Sequence, residues 1–479
     1  MAASLALPLL VALSAAFADD PPKKADPPKP KAVAVWEGPL TAGAIELRMI
    51  FNILEATDGK LSATLDVPDQ GAKGVPCGEV KQADGKLVIQ APLLKGKYEG
   101  KLSADGKTAV GEWTQSGQTF KLTLTRVEKA TEVRRPQTPK PPFPYTVEEV
   151  TFDNPAAKIT LAGTLTLPKG DGPFPAAVLV SGSGPQDRDE TIFQHKPFWV
   201  LADHLTRNGI AVLRYDDRGV GKSKGKFADA ITADFAADAH AAVRFLRSRQ
   251  GIDPKRVGII GHSEGGLIAP MVAADHPAEV GFIVMLSGTG LPGTDILAAQ
   301  IADLMKASGE KEESIKLAVD FQKVLMAAVV QHADPAESKK AVVAEAEKFV
   351  GKLTEAQKKA LELGKDGKPP GLDQLNAPWM RYFLTADPRP TLARVKCPVL
   401  ALNGDKDLQV RAKDNLPAVE KAVKGGGNAA VTTRELPDLN HLFQTSKTGL
   451  VTEYGRIEET FAPAALQIIS DWIKTAGAR

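Results

Sequence analysis

A proline-rich segment at residues 134–144 (RRPQTPKPPFP) divides this 479-residue chain into two parts with different hydrophobic patterns. Before the segment, apolar and polar residues alternate with a period of two, which is typical of antiparallel strands. After it, strand-like apolar runs alternate with helical stretches, which predicts a mainly parallel sheet covered by helices. Proline and charge together favour an extended linker, which we place at residues 131–144. The chain also exceeds the usual length of a single domain.

Residues 33–130 are predicted to form a small antiparallel β-domain, either a barrel or a sandwich. Short alternating runs, such as residues 119–127, are separated by Asp-Gly turns at Asp58, Asp84 and Asp105, which suit tight hairpins. This part contains no acid–base or metal-ligand pattern. We therefore expect it to pack, position or bind rather than to catalyse.

Residues 1–18 have the pattern of a signal peptide. An apolar run ends in Ala16-Phe17-Ala18, a hydrophobic segment followed by a small-x-small cleavage site. No Lys or Arg precedes the run, so an uncleaved N-terminal anchor is the alternative. Residues 19–32, rich in proline and lysine, are interpreted as a tether. We expect an exported protein, periplasmic or secreted, with no stable membrane span after signal cleavage.

The composition excludes several classes of function. With 60 Lys and Arg against 58 Asp and Glu, the net charge is +2. The sequence lacks the concentrated basic residues that are typical of a nucleic-acid-binding protein. Two cysteines, Cys77 and Cys397, exclude a disulfide scaffold and a cysteine-rich metal site. Residues 217–223 resemble a phosphate loop, but Asp216 occupies the position of its first glycine. We expect neither a metal nor a cofactor, since no other motif supports one.

The second part of the chain contains a nucleophile-elbow motif, Gly261-His262-Ser263-Glu264-Gly265. It follows an apolar strand at residues 256–260 and opens a helical stretch at residues 266–274, which is the context that such an elbow requires. The tight turn strains the serine backbone and demands small neighbours, hence the two glycines. Ser263 is the predicted nucleophile, and an ordinary glycine-rich turn with a surface serine is the alternative.

A serine nucleophile needs a base that is oriented by an acid. After an elbow of this kind the acid comes next along the chain and the histidine last. Of seven histidines, only His441 follows the late strands, in a loop before the final helix, so it is the predicted base. The strand at residues 398–402 is followed by two aspartates. We predict Asp407 as the acid and keep Asp405 as the alternative.

The oxyanion of the transition state should receive two backbone N–H groups. We assign one to Glu264, the residue after the nucleophile. The second is assigned to Ser183, in the glycine-containing segment after the strand at residues 176–180, with Gly184 as the alternative. The side chain of Glu264 is either an acidic wall of the site or a carboxylate favoured by the helix N-terminus.

Four motifs in this order resemble those of the α/β-hydrolases, in particular the EstD-like exported bacterial carboxylesterases, which are related to serine aminopeptidases and prolyl peptidases. They are VSGSGPQDRD at residues 180–189, YDDRGVGKS at 215–223, GHSEGG at 261–266 and NHLF at 440–443. The resemblance covers residues 145–479. It implies an α/β-hydrolase sheet, a Ser263/Asp407/His441 triad, an oxyanion hole near Ser183 and Glu264, and a helical cap at about residues 290–390. The β-domain, with its Pro68-Asp69-Gln70-Gly71 segment, looks like those that precede similar hydrolases.

The predicted function is hydrolysis of a small-molecule carboxylic ester through an acyl-enzyme intermediate. A serine peptidase with the same triad is the runner-up, because esters need less protonation of the leaving group and no acidic pair for a peptide N-terminus is evident in the cap. A non-catalytic binding protein on a hydrolase fold is the third interpretation, and the complete triad argues against it. The sequence specifies neither the acyl-chain length nor the oligomeric state.

Overall fold

The structure, a computed structural model, describes residues 31–42, 45–115, 118–131, 133–361, 363 and 372–476. The predicted signal peptide lies outside the described residues, as does the predicted tether up to residue 30. Residues 31 and 32, at the end of that tether, already belong to the first strand. Within the described ranges, no helix is both long and apolar enough to cross a lipid bilayer.

The first part of the chain forms a closed antiparallel barrel, in which each strand pairs with the next and the first pairs with the eighth. Alternate side chains fill the interior, where the large rings of Trp36, Phe51, Tyr98 and Trp113 are fully buried. Eight strands enclose a space that side chains can fill. The strands are β1 (Lys31–Ala42), β2 (Ile45–Glu55), β3 (Leu61–Val67), β4 (Ala72–Ala83), β5 (Lys86–Ala91), β6 (Gly96–Leu102), β7 (Thr108–Gln115) and β8 (Gln118–Val127).

The second part is built on one eight-stranded sheet. Its strands are β9 (Thr146–Asn154), β10 (Ile159–Leu167), β11 (Phe174–Val180), β12 (Ala211–Tyr215), β13 (Ile252–His262), β14 (Phe282–Leu286), β15 (Val399–Gly404) and β16 (Val431–Leu436). They lie in the order β16-β15-β14-β13-β11-β12-β10-β9. β9 and β10 form an antiparallel pair, and β11 to β16 run parallel to one another.

Helices cover both faces of this sheet, because successive residues of a buried strand point to opposite faces. The helices outside the insertion described below are α1 (Pro197–Arg207), α2 (Thr232–Arg247), α3 (Glu264–Asp275), α9 (Pro388–Arg394), α10 (Ala412–Gly425), α11 (Val451–Tyr454) and α12 (Pro463–Ala476). In β11, Val178 packs toward the helices α2, α3 and α10, whereas Leu179 packs toward α1 and α12.

A helical insertion separates β14 from β15, at the position where the sequence predicts a cap. Its helices share an apolar cluster that includes Phe321, Leu325 and Val342. A second cluster joins Phe383 of the insertion to Leu267 of α3. The insertion comprises α4 (Gly293–Ala307), α5 (Glu312–Gln331), α6 (Pro335–Val350), α7 (Glu355–Ala360), a 3-10 turn (Leu372–Asn376) and α8 (Pro378–Thr385). The predicted order of an all-β domain, an α/β sheet and a helical insertion is confirmed, and the all-β domain is a barrel.

Candidate active site

Ser263 occupies a strained turn between β13 and α3. Its backbone has φ 53° and ψ −112°, and its N–H donates to the carbonyl oxygen of Leu286 at 2.8 Å. A Cβ at Gly261 would lie 1.9 Å from the oxygen of Gly265, and a Cβ at Gly265 would lie 2.0 Å from the oxygen of Val180. Both positions therefore require glycine. Strain of this kind persists only where the surrounding structure enforces it, as at a nucleophile elbow.

His441 lies in the loop after β16, in contact with an aspartate that follows β15. Its Nδ1 is 2.9 Å from Oδ2 and 3.0 Å from Oδ1 of Asp407, and both residues are buried. The alternative acid, Asp405, instead accepts a hydrogen bond from the backbone N–H of Asp438 at 2.7 Å. Of the two aspartates, Asp407 is the one that contacts the histidine.

The surroundings of Asp407 keep its carboxylate ionised. Burial raises the pKa of Asp407, but the charge and hydrogen bond of His441, together with the Val410 N–H, lower it more, so the pKa lies below its ordinary value. The N–H groups of Gln409 and Val410 both reach Oδ1 at 2.9 Å. An ionised acceptor at Nδ1 keeps the proton on that nitrogen and leaves Nε2 of His441 as the basic atom.

The loop that carries His441 is held by its neighbour Asn440. The Oδ1 atom of Asn440 accepts from the backbone N–H groups of Leu442 and Gln444, each at 3.0 Å. Its Nδ2 donates to Oε1 of Gln444 at 3.0 Å. These local bonds turn the chain tightly around the histidine, which fixes the position of the imidazole ring.

The segment after β11, residues 181–185, borders Ser263. A Cβ at Gly182 would lie 3.2 Å from Cβ of Ser263. The N–H of Gly182 donates to Oε1 of Glu190 at 2.7 Å. The hydroxyl of Ser181 donates to Oδ1 of Asp217 at 3.0 Å. Two buried acids thus shape the loop that contains Ser183.

His262 and Glu190 form a second imidazole–carboxylate pair that the sequence did not predict. Nδ1 of His262 lies 2.9 Å from Oε1 of Glu190, and Nε2 lies 2.8 Å from the backbone oxygen of His441. Burial lowers the pKa of His262, but the charge and hydrogen bond of Glu190 and the His441 carbonyl outweigh burial and raise it overall. The sequence signal was the histidine inside the elbow, but nothing local identified its partner.

The side chain of Glu264 turns away from solvent and contacts two other elements. Its Oε1 accepts from the Thr232 hydroxyl in α2 and from the Trp379 indole in α8, each at 2.7 Å. Burial raises the pKa of Glu264, and the hydrogen bonds of Trp379, Thr232 and Ser183 offset only part of the rise. Glu264 therefore links the elbow to the helical insertion, a contact that the sequence did not predict.

One group of potential metal ligands lies at the far end of α3 from Ser263. It consists of His240, His276 and Glu279, whose ligand atoms lie within 4.8 Å of one another. The two imidazole rings are stacked with centroids 3.5 Å apart and planes 5° apart. A ring nitrogen binds a metal in the plane of its ring, and one ion cannot lie in two parallel planes. The arrangement fits a stacked pair in which Nε2 of His240 contacts Glu279 at 3.3 Å.

Comparisons of the sequence with known proteins find two relevant similarities. The family described as "Serine aminopeptidase, S33" matches residues 197–362. Esterase EstD of Thermotoga maritima is 30% identical over 285 residues, which are 59% of this chain and 58% of EstD. The chain thus matches less than two thirds of the length of this relative.

Two solved structures are also similar. An esterase of Pyrococcus furiosus has a TM-score of 0.41 at 16% identity, covering 73% of this chain and 99% of that one. The α/β-hydrolase GrgF from Penicillium has a TM-score of 0.42 at 18% identity, covering 70% of this chain and 100% of that one. The family match and the similarity to EstD support the resemblance to the EstD-like α/β-hydrolases that the four sequence motifs indicate.

Proposed function

We propose that the protein hydrolyses carboxylic esters of small molecules through a Ser263–His441–Asp407 triad. The observation that carries this proposal is the buried Asp407–His441 hydrogen bond of 2.9 Å. It leaves Nε2 of His441 basic, in a structure that also holds Ser263 in an elbow conformation. A serine hydroxyl is a weak nucleophile unless such a base takes its proton.

The reaction proceeds in two balanced halves. In the first, Oγ of Ser263 attacks the acyl carbon while Nε2 of His441 takes the hydroxyl proton, and that proton then passes to the departing alcohol. In the second, water attacks the acyl-enzyme and gives a proton to His441, which returns it to Oγ of Ser263 as the carboxylic acid leaves. Asp407 accepts the Nδ1–H bond throughout and stabilises the imidazolium.

The oxyanion would be bound by the backbone N–H groups of Glu264 and Ser183. Glu264 is the first residue of α3, where N–H groups lack intrahelical acceptors and the helix dipole favours negative charge. The N–H of Gly182 already donates to Glu190. Support for Ser183 is that it is the next amide along a loop packed against the nucleophile.

The helical insertion would cover the site and select the acyl group. Trp379 of α8 reaches the elbow through its bond to Glu264, and Phe383 packs against Leu267, one turn into α3. An apolar cover of this kind excludes water and strengthens the electrostatic interactions inside the site.

A serine peptidase with the same triad is the second candidate, favoured by the match to the serine aminopeptidase family over residues 197–362. Matched ester and anilide substrates that carry the same acyl group separate the two. Ester hydrolysis predicts a much faster reaction of the ester, because its alcohol leaves with less help from an acid than an amine does. Faster cleavage of the anilide would favour the peptidase.

A fluorophosphonate probe tests whether the site is catalytic at all. We expect covalent labelling of the wild-type protein at Ser263 and no labelling of Ser263→Ala. A folded wild-type protein that fails to react would support the third interpretation, a binding protein on a hydrolase fold.

We further propose that the chain is exported, to the periplasm or outside the cell, because residues 1–18 carry a signal-peptide pattern. Expression of the full chain with N-terminal sequencing of the product tests this. A mature protein that begins at Asp19 is expected, whereas an intact Met1 terminus in a membrane fraction would indicate an uncleaved anchor.

A further inference from the structure

We propose that His262 is a positioning residue for the ester hydrolysis proposed above. Held as an imidazolium, it ties the loop that carries the oxyanion donor Ser183 to the loop that carries the base His441. The inference rests on the proposed function, and it concerns a residue that is placed outside the reacting atoms.

Three hydrogen bonds form the connection. The N–H of Gly182 donates to Oε1 of Glu190 at 2.7 Å, and Nδ1 of His262 lies 2.9 Å from the same oxygen. Nε2 of His262 lies 2.8 Å from the backbone oxygen of His441. The series runs from the segment after β11, through the residue that precedes the nucleophile, to the loop after β16. These hydrogen bonds therefore fix the three segments that the mechanism uses relative to one another.

The partners of His262 determine its protonation state. A carboxylate oxygen and a carbonyl oxygen can only accept hydrogen bonds, so both ring nitrogens must donate. Only the imidazolium carries two N–H groups. A neutral ring would turn a lone pair toward one of the two oxygens, in a place where His262 is 6% exposed.

The charges that face His262 favour this state. Glu190 faces it from the loop between β11 and α1, and Asp407 acts on it from the loop after β15. The ring of His441 lies 4.8 Å away, centroid to centroid. The remaining neighbours around the small cavity at this place are apolar side chains of α1, β14 and the C-terminal segments: Pro197, Phe198, Leu286, Leu442, Phe443 and Phe461.

Loss of one proton from His262 at alkaline pH would break one of its two bonds. Either the oxyanion loop or the His441 loop would then move relative to Ser263. Because His262 is not placed in contact with the substrate, this loosening should lower kcat and leave KM nearly unchanged. The alkaline limb of the kcat profile would therefore belong to His262.

Glu190→Gln is the decisive variant, because it keeps a hydrogen-bonding side chain but removes the charge that stabilises the imidazolium. We expect the alkaline limb of kcat to move down by about one pH unit or more, a shift that corresponds to a tenfold change in the protonation equilibrium. His262→Gln should lower kcat at every pH and abolish this limb. As a matched control, His204→Gln replaces a half-buried histidine on α1 and should leave the profile unchanged.

An alkaline limb that is identical in Glu190→Gln and the wild-type protein would overturn the proposal. If the variant does not fold, nitrogen-15 NMR of the histidine rings in the wild-type protein gives the test, with His262→Gln for assignment. Both ring nitrogens of His262 should be protonated at pH 7, and a neutral ring would refute the inference. Fluorophosphonate labelling of the wild-type protein reports separately on the proposed function, so the two can fail independently.

Discussion

The carboxylate of Glu264 and the indole of Trp379 share a hydrogen bond of 2.7 Å that connects the strained turn at Ser263 to the helical insertion. The two residues are 115 positions apart in the sequence. The ring of Trp379 also stacks on Phe383, with centroids 5.6 Å apart. A residue adjacent to Ser263 therefore helps to hold the insertion in place.

Trp379→Phe removes the indole donor but keeps an aromatic ring against Phe383. We expect the free energy of unfolding to fall by about 1–3 kcal/mol, because a buried acceptor loses a partner. Urea unfolding of this variant, of Glu264→Ala and of the double variant measures the coupling between the two residues. If the effects of the two single variants add up to the effect of the double variant, the hydrogen bond contributes no coupling energy.

The two aspartates after β15 give a matched pair of variants. Asp407→Asn should lower kcat by about 10³–10⁴-fold, because the neutral amide no longer fixes the tautomer of His441 or stabilises its cation. Asp405→Asn should stay close to the wild-type rate, since Asp405 contacts the N–H of Asp438 and not the histidine. Steady-state hydrolysis of one ester gives the kcat of both variants. A lower kcat for Asp405→Asn than for Asp407→Asn would assign the role of the acid to Asp405.

We expect His195 to make the free energy of unfolding depend on pH. Burial, with the charge of Arg135 adding to it, lowers the pKa of His195 to about 4. The unfolded chain binds this proton near pH 6.5, so the unfolded state gains it first as the pH falls. We therefore expect the free energy of unfolding to be unaffected by this residue above pH 6.5 and to decrease from pH 6.5 toward pH 4. The loss from His195 should reach about 2 kcal/mol by pH 5.

Urea unfolding at pH 7 and pH 5 measures this contribution when the wild-type protein is compared with His195→Gln. The variant should lose less stability than the wild type between the two pH values. An equal loss in both proteins would show that His195 does not carry the effect.

Arg456 joins the hydrolase part to the barrel. Its Nε lies 3.1 Å from Oδ1 of the buried Asp69, and its Nη1 lies 3.2 Å from Oε1 of Glu46. Arg456→Ala leaves the Asp69 carboxylate without its cation and should lower the free energy of unfolding by about 2 kcal/mol, less than for a fully buried pair because Arg456 is partly exposed.

Arg134→Ala is the matched control for this prediction. Arg134 forms an exposed ion pair with Glu458, and its loss should change stability by less than about 1 kcal/mol. Unfolding curves and the rate of proteolysis in the linker at residues 131–144 compare the two variants. Equal losses of stability in Arg456→Ala and Arg134→Ala would indicate that the Asp69 carboxylate does not need the charge of Arg456.

The parts of the site that are visible in the sequence are those set by local constraints. Gly261 and Gly265 mark the elbow because the turn itself leaves no room for a Cβ. His441 is the predicted base because the order of the strands restricts where a base can lie. The α/β sheet follows from the alternation of strand-like runs with helical stretches, and the insertion lies where the resemblance to the EstD-like hydrolases implies a cap.

Contacts between distant segments could not be predicted. Glu190 and His262 are 72 residues apart, and neither lies in a pattern that requires the other. The choice between barrel and sandwich depends on whether β1 pairs with β8. Alternating side chains are the same in both folds, so the period of the sequence does not distinguish them.

The most direct measurement of the central claim is the hydrolysis of p-nitrophenyl butyrate by the wild-type protein beside Ser263→Ala. We predict a measurable wild-type rate that falls to the uncatalysed background in the variant, with nearly equal melting temperatures, because the hydroxyl is the nucleophile and does not support the fold. A Ser263→Ala variant that hydrolyses the ester at the wild-type rate would contradict the account.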